Sequence, residues 1–154
     1  MKDINTILCP VDFSEPSYAA LESAVDLADR FSAGIILFHA VSNIDPTPTP
    51  SYTLTNQIVD QIPQIMQQMT ENATQALKEL TDIRIAGRVP AQQMVEIGNP
   101  ATSIVQAAKT RSVDLIVIAT HGRNGFKGLI FGSVAEKVVR TAECPVLTMR
   151  YKAA

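Results

Sequence analysis

The sequence predicts an α/β fold: a single domain over residues 1–154, built on one doubly wound, five-stranded parallel sheet with helices on both faces. Three observations carry this expectation. Short β-rich runs alternate with longer segments whose apolar residues recur every three or four positions, and such alternation implies crossover connections and a parallel sheet. The run over residues 35–41, Ile-Ile-Leu-Phe-His-Ala-Val, has apolar side chains for both faces, as a strand covered on both sides requires. Neither an internal repeat nor a linker divides the chain.

The elements follow in order. Residues 7–11 form a short apolar strand ending at Asp12. From Ser14 the period changes. Tyr18, Leu21, Val25, Ala28 and Phe31 mark one face of an amphipathic helix, with Ser14 suited to its N-cap and Pro16 to its first turn. Gly34 opens the second strand. Residues 43–56 carry Pro46, Pro48 and Pro50 among Ser, Thr and Asn. This is a long loop by domain standards, either a lid over a site or a surface connection.

Ile58, Ile62, Ile65, Met69, Ala73, Ala76 and Leu80 return to helical spacing, with Pro63 kinking this helix or beginning its main part. Its methionines are expected to fill core gaps. Residues 94–97 form a third strand. Gly98-Asn99-Pro100 then supplies a turn, a cap and a first-turn proline for a helix with Ile104, Val105 and Ala108 on one face. Residues 114–119 are a fourth strand, expected to be the most buried. A glycine-rich loop over residues 121–132 leads into a helix through Val134, Val138 and Val139 to Ala142, and residues 145–149 complete the sheet.

Composition excludes several classes. With 46% apolar and 18% charged residues, the chain is too apolar for disorder. A net charge of −2 provides no basic field for nucleic acid. Apolar stretches such as residues 34–41 fall far short of the roughly 20 residues of a membrane span, and no signal peptide is expected at the start. Cys9 and Cys144 stand far apart with no CxxC or Cys/His cluster. They read as two buried, reduced thiols, which argues against a disulfide scaffold or structural zinc and for a reducing, cytoplasmic compartment.

The loop after the fourth strand carries the chemistry. In open α/β sheets, ligands sit outside the carboxyl ends of the strands, where the strand order reverses. Glycine allows close backbone approach. Gly132-Ser133 opens a helix, whose free N–H groups form an anion site to which the Ser133 hydroxyl adds a donor. Arg123 and Lys127 share the loop and can neutralise phosphate. The set suits a polyphosphate better than a neutral ligand. It is not a Walker loop, since no G-x-x-x-x-G-K-[ST] occurs, and no G-x-G-x-x-G follows the first strand.

These residues resemble the universal stress protein family over nearly the whole chain. Residues 7–17, Ile-Leu-Cys-Pro-Val-Asp-Phe-Ser-Glu-Pro-Ser, are similar to that family's first strand and turn. Residues 132–139, Gly-Ser-Val-Ala-Glu-Lys-Val-Val, and then Cys144-Pro145-Val146-Leu147 match its last helix and strand. Members that bind ATP carry a glycine, two residues, a second glycine, nine residues and then G-[ST]. Gly122 and Gly132-Ser133 fit the later elements, and Ala119 replaces the first glycine. One methyl is the smallest possible change, so binding is expected to be weakened or unaffected rather than abolished.

The resemblance implies a Rossmann-like, adenine nucleotide alpha hydrolase-like sheet of order 3-2-1-4-5 and a homodimer paired through the last strand. It implies ATP as ligand, with ADP or AMP as alternatives and Mg²⁺ as a companion ion. By position, Pro10, Val11 and Asp12 border adenine and ribose, and Ala40 packs against the base. Ala119, Thr120, His121, Gly122 and Arg123 wrap ribose and phosphates, while Gly132, Ser133 and Val134 hold the phosphates.

No catalytic residue and no metal ligand is assigned. Asp12 reads either as a ligand-facing carboxylate or as a helix cap. His39 reads as a hydrogen-bonded interior residue. His121 reads as a loop residue beside the ligand rather than a general base, because no orienting acid stands near it in sequence. Three functions compete. The first is a nucleotide-responsive stress and signalling module acting through its dimer. The second is a slow ATPase or nucleotidyl transferase using Arg123, Lys127 and Mg²⁺. The third is a nucleotide-free regulatory dimer, in which Ala119 marks lost binding.

Overall fold

A computed structural model describes residues 3–45, 56–121 and 131–151 of the chain. The strands are β1 (Thr6–Pro10), β2 (Gly34–Val41), β3 (Ala91–Ile97), β4 (Leu115–Ala119) and β5 (Val146–Met149). The helices are α1 (Glu15–Phe31), α2 (Asn56–Leu80), α3 (Pro100–Thr110) and α4 (Ser133–Thr141), and a π-helical turn, Thr81–Ile85, follows α2. The strands pair in parallel in the order β3-β2-β1-β4-β5. The chain winds outward from β1 through β2 to β3, then returns to the other side of β1 for β4 and β5. The strand order therefore reverses between β1 and β4, the position at which such sheets open a crevice.

Strand alternation sorts the core into two layers. Ile7, Cys9, Leu37 and Val117 lie under α1, while Leu8, Phe38, Ile116 and Ile118 lie under α3 and α4. Burial of one such side chain stabilises the fold by about 1.5–3 kcal/mol. α1 begins at a reciprocal cap in which the Ser14 hydroxyl accepts from Ser17 N–H and the Ser17 hydroxyl accepts from Ser14 N–H. Asn99 caps α3 by accepting from Thr102 N–H at 3.2 Å. The carboxylate of Asp114, expected inside the fourth strand, lies just before it. Its Oδ2 accepts from the N–H groups of Asn5 and Thr6 at 3.0 and 3.1 Å and ties the start of β4 to the start of β1.

The structure corrects several expectations. β3 begins at Ala91 rather than at residue 94, because Gln92 and Gln93 are exposed on an edge strand and leave no apolar alternation to read. α2 begins at Asn56, so Pro63 lies two turns inside it. The stripe read as core on α2 is only partly so. Met66 is buried, yet Met69 is 40% exposed, and Ile58 and Ile65 are similarly open. Phe31 and Val139 are exposed too. Cys9 is buried, and desolvation pushes its thiol up to about 12, whereas Cys144 is only half-buried. Neither forms a disulfide among the described residues. Most of the proline-rich segment, residues 46–55, lies outside the described residues. No described helix is long and apolar enough to cross a membrane.

Leu77, fully buried between α2 and the α1 layer, and Ile83, 75% exposed in the π-helical turn, give a direct contrast. Leu77→Ala is expected to lower unfolding stability by about 2–5 kcal/mol. Ile83→Ala should change it by less than about 0.5 kcal/mol. Urea denaturation of the two variants checks the difference.

Candidate functional site

A cleft of about 990 Å³ opens along the carboxyl ends of β1, β2 and β4. The β1–α1 turn forms one lip. Asp12, expected either to face a ligand or to cap a helix, braces the cap: its Oδ1 accepts from Ser14 N–H at 3.1 Å and from the Ser14 hydroxyl. The same half-buried residue lines the cleft. Asp12 is the one acidic side chain among the described lining residues, and no described lysine or arginine lines the cleft.

Phe13, next along, has φ +62°. For a bulky L-residue this left-handed conformation costs about 1–2 kcal/mol, and it persists only where the surroundings impose it. Here they do. The Phe13 ring lies 4.6 Å from the His39 ring, tilted by 42°. His39 in turn donates from Nδ1 to the Val11 carbonyl at 2.8 Å, which fixes its tautomer because a carbonyl can only accept. Val11 N–H donates to the Phe38 carbonyl at 2.8 Å. The turn is thus held on both sides of Phe13. His39 is the hydrogen-bonded residue the sequence led us to expect, and it also lines the cleft.

The opposite lip is the end of β4 and the start of α4. Thr120 N–H donates to the Met149 carbonyl at 2.9 Å, and Gly132 N–H donates to the Thr120 carbonyl at 2.6 Å. This last bond brings the two ends of the glycine-rich loop together. Gly132 makes the approach possible, since a Cβ there would stand 3.1 Å from the Thr120 carbonyl oxygen. The Thr120 hydroxyl and His121 Nδ1 share a hydrogen bond of 2.9 Å. α4 starts with Gly132 as N-cap and, among the described residues, no side-chain cap, whereas Ser14 and Asn99 cap α1 and α3. Its first N–H groups and the positive end of its dipole, roughly +0.5 of a charge, therefore offer themselves to an anion from the cleft.

The fold brings together Pro10, Val11, Asp12, Ala40, Ala119, Thr120, His121, Gly132, Ser133 and Val134, all of which line this cleft. Gly122, Arg123 and Lys127 lie outside the described residues. The sequence reading did not include the α2 wall, formed by Met69, Asn72, Ala73 and Ala76. The signal was the α2 apolar stripe itself, whose flank turns toward the cleft. Phe13 was missed as well, because nothing in a phenylalanine announces a positive φ.

Phe13→Gly and Phe13→Ala both remove the ring, but only glycine is unstrained at this φ. The glycine variant is expected to be more stable than the alanine variant by about 1 kcal/mol, the reverse of the usual order. Urea midpoints measured side by side decide it.

The fold has known counterparts. A sequence model of the universal stress protein family matches residues 3–150. The universal stress protein YxiE of Bacillus subtilis is 31% identical over 147 residues, 95% of this chain and 99% of its own. A universal stress protein of Methanocaldococcus jannaschii is 30% identical over 146 residues, 94% of this chain and 81% of its own. Among solved structures, the universal stress protein UspA of Lactobacillus plantarum superposes with a TM-score of 0.81 at 25% identity, covering 97% of this chain and all of that one. Two more distant structures share the fold at 20% identity. A universal stress protein in complex with cAMP has a TM-score of 0.62 and covers 97% of this chain and 98% of its own. That of Archaeoglobus fulgidus in complex with dAMP has a TM-score of 0.61 and covers 96% and 98%.

Proposed function

The chain belongs to the universal stress protein family, and from that membership we propose that it is an ATP-binding stress and signalling module that works as a homodimer in the cytoplasm. ATP lies across the point where the strand order reverses, with Pro10, Val11 and Asp12 bordering adenine and ribose and Ala40 against the base. Ala119, Thr120, His121, Gly122 and Arg123 wrap the ribose and phosphates, and Gly132, Ser133 and Val134 hold the phosphates.

The observation that supports this most is the start of α4. Among the described residues no side chain caps this helix, which starts beside the cleft. Hydrogen bonds to a charged group contribute about 1.5–3 kcal/mol each, so two or three of them supply a large part of a micromolar affinity, which is about 8 kcal/mol. Two relatives of this fold hold adenine nucleotides, cAMP and dAMP. ADP and AMP offer the same adenine and fewer phosphates. Mg²⁺, when it accompanies the nucleotide, would rest mainly on the phosphates, because Asp12 is the only acid among the described lining residues. It would supply charge neutralisation there.

The dimer reading rests on β5. This strand lies at one end of the sheet and, among the described residues, pairs with β4 alone, and Leu147 is 38% exposed on it. A second copy would satisfy its open backbone edge. Thr120 N–H is bonded to Met149 at the end of β5, so a ligand that orders the end of β4 acts directly on the strand that pairs the copies. Two cysteines outside any disulfide among the described residues fit a reducing compartment.

Isothermal titration calorimetry with Mg²⁺–ATP tests the reading. The wild-type chain is expected to bind ATP. Gly132→Val, whose branched side chain would press on the Thr120 carbonyl, should lose at least about tenfold in affinity while size-exclusion chromatography shows an unchanged dimer. No heat at millimolar ATP, or wild-type affinity in the variant, would contradict it.

A further inference from the structure

The cleft has two walls of different chemistry, and the nucleotide reading uses mainly one of them. Strand alternation separates them. Phe38 and Ala40 of β2 and Ile118 of β4 turn toward α3 and α4, the side where the α4 amides lie. Val11, Leu37 and Val41 turn toward α1 and α2. His39 alternates with Leu37 and Val41, and its ring contact with Phe13 and its bond to Val11 confirm the same side. Across from it stand Met69, Asn72, Ala73 and Ala76 of α2. α1 and α2 pack far more on the sheet than on each other. Phe13 and Ser17 beside α1 and Met69, Asn72, Ala73 and Ala76 of α2 all line the cleft, so its α1–α2 side is a compartment continuous with the rest.

We infer that this α1–α2 compartment is a second binding site, one that takes a neutral, flat aromatic or heteroaromatic ring alongside the nucleotide rather than in place of it. The lining argues for that class. Phe13, His39, Met69, Asn72, Ala73 and Ala76 include no lysine, arginine, aspartate or glutamate, so a charged ligand would lose hydration there without a partner. An aromatic pair and a thioether favour stacking and sulfur–ring contact. Two polar edges remain. His39 Nδ1 is occupied by Val11, so the neutral ring keeps Nε2 as an acceptor, and Nε2 has no partner among the described residues. The Asn72 Oδ1 accepts from Gln68 Nε2 at 3.0 Å, which leaves its N–H₂ as a donor. A mostly apolar pocket with a few placed polar groups is the usual form of a small-molecule site. The inference goes beyond ATP binding and is testable without it.

The probe is N-phenyl-naphthylamine, a neutral aromatic amine that fluoresces in apolar surroundings. The wild-type chain is expected to bind it saturably with one-to-one stoichiometry, with affinity changed by less than about threefold when saturating ATP is present. Ala76→Phe fills the compartment. Met69→Lys places a charge in it at a position already 40% exposed, where folding tolerates the change. Each variant should weaken probe binding at least about tenfold, with an unchanged circular dichroism spectrum. A probe that gives no enhancement with wild type, that binds both variants normally, or that ATP displaces would overturn the second site. Failure of wild type to bind ATP, with the probe behaving as expected, would instead remove the nucleotide reading and leave this compartment standing.

Discussion

The N–H groups that begin α4 are the feature on which the other parts of the cleft converge. A helix start leaves several donors without intrahelical partners, and proteins commonly satisfy them with a nearby hydroxyl or amide side chain, as Ser14 and Asn99 do for α1 and α3. At α4 that place is taken by Gly132, which has no side chain to offer. The same glycine lets its backbone close on the Thr120 carbonyl, so the loop returns beside the strand it left. Two properties of one residue, close approach and the lack of a cap, thus make the donors available where the strand order reverses.

The other lip is organised to stay put. Asp12, Ser14 and Ser17 form a chain of short-range hydrogen bonds at the start of α1, while His39 holds Val11 and packs its tilted ring against Phe13. The left-handed turn at Phe13 is the cost of passing from β1 to α1 within a few residues, and the ring pair and the cap together outweigh it. Such preorganisation reduces what a ligand must spend on ordering the site when it binds. It also bears on the proposed second compartment, because Phe13 and His39, which brace this lip, line that side of the cleft.

Much of this was legible in the sequence, for physical reasons that can be named. Helical spacing in residues 18–31 and 104–108 and the caps Ser14 and Asn99 located α1 and α3, because the caps and the apolar faces agree there. The sheet order came with the family resemblance rather than with periodicity, and the observed order matches it. Ten of the expected site residues meet in one cleft because loops at the carboxyl ends of adjacent parallel strands must be neighbours. What was not legible depends on tertiary context. The glutamines at the start of β3 carry no strand signal on an exposed edge. Ile58, Ile65 and Met69 share the spacing of core residues, yet all three are exposed, and Met69 lines the cleft instead of packing on the sheet. The π-helical turn Thr81–Ile85 has no periodic signature of its own.

The central claim, that the open amides of α4 hold the phosphates, is tested most directly by titrating ATP into the labelled chain and following backbone N–H resonances by nuclear magnetic resonance. The account predicts that Ser133, Val134 and Ala135 shift together and saturate with the same affinity that calorimetry gives, whereas the amides of α3 behind the Asn99 cap stay in place. Resonances of Ser133, Val134 and Ala135 that do not move while ATP binds elsewhere on the chain would contradict it.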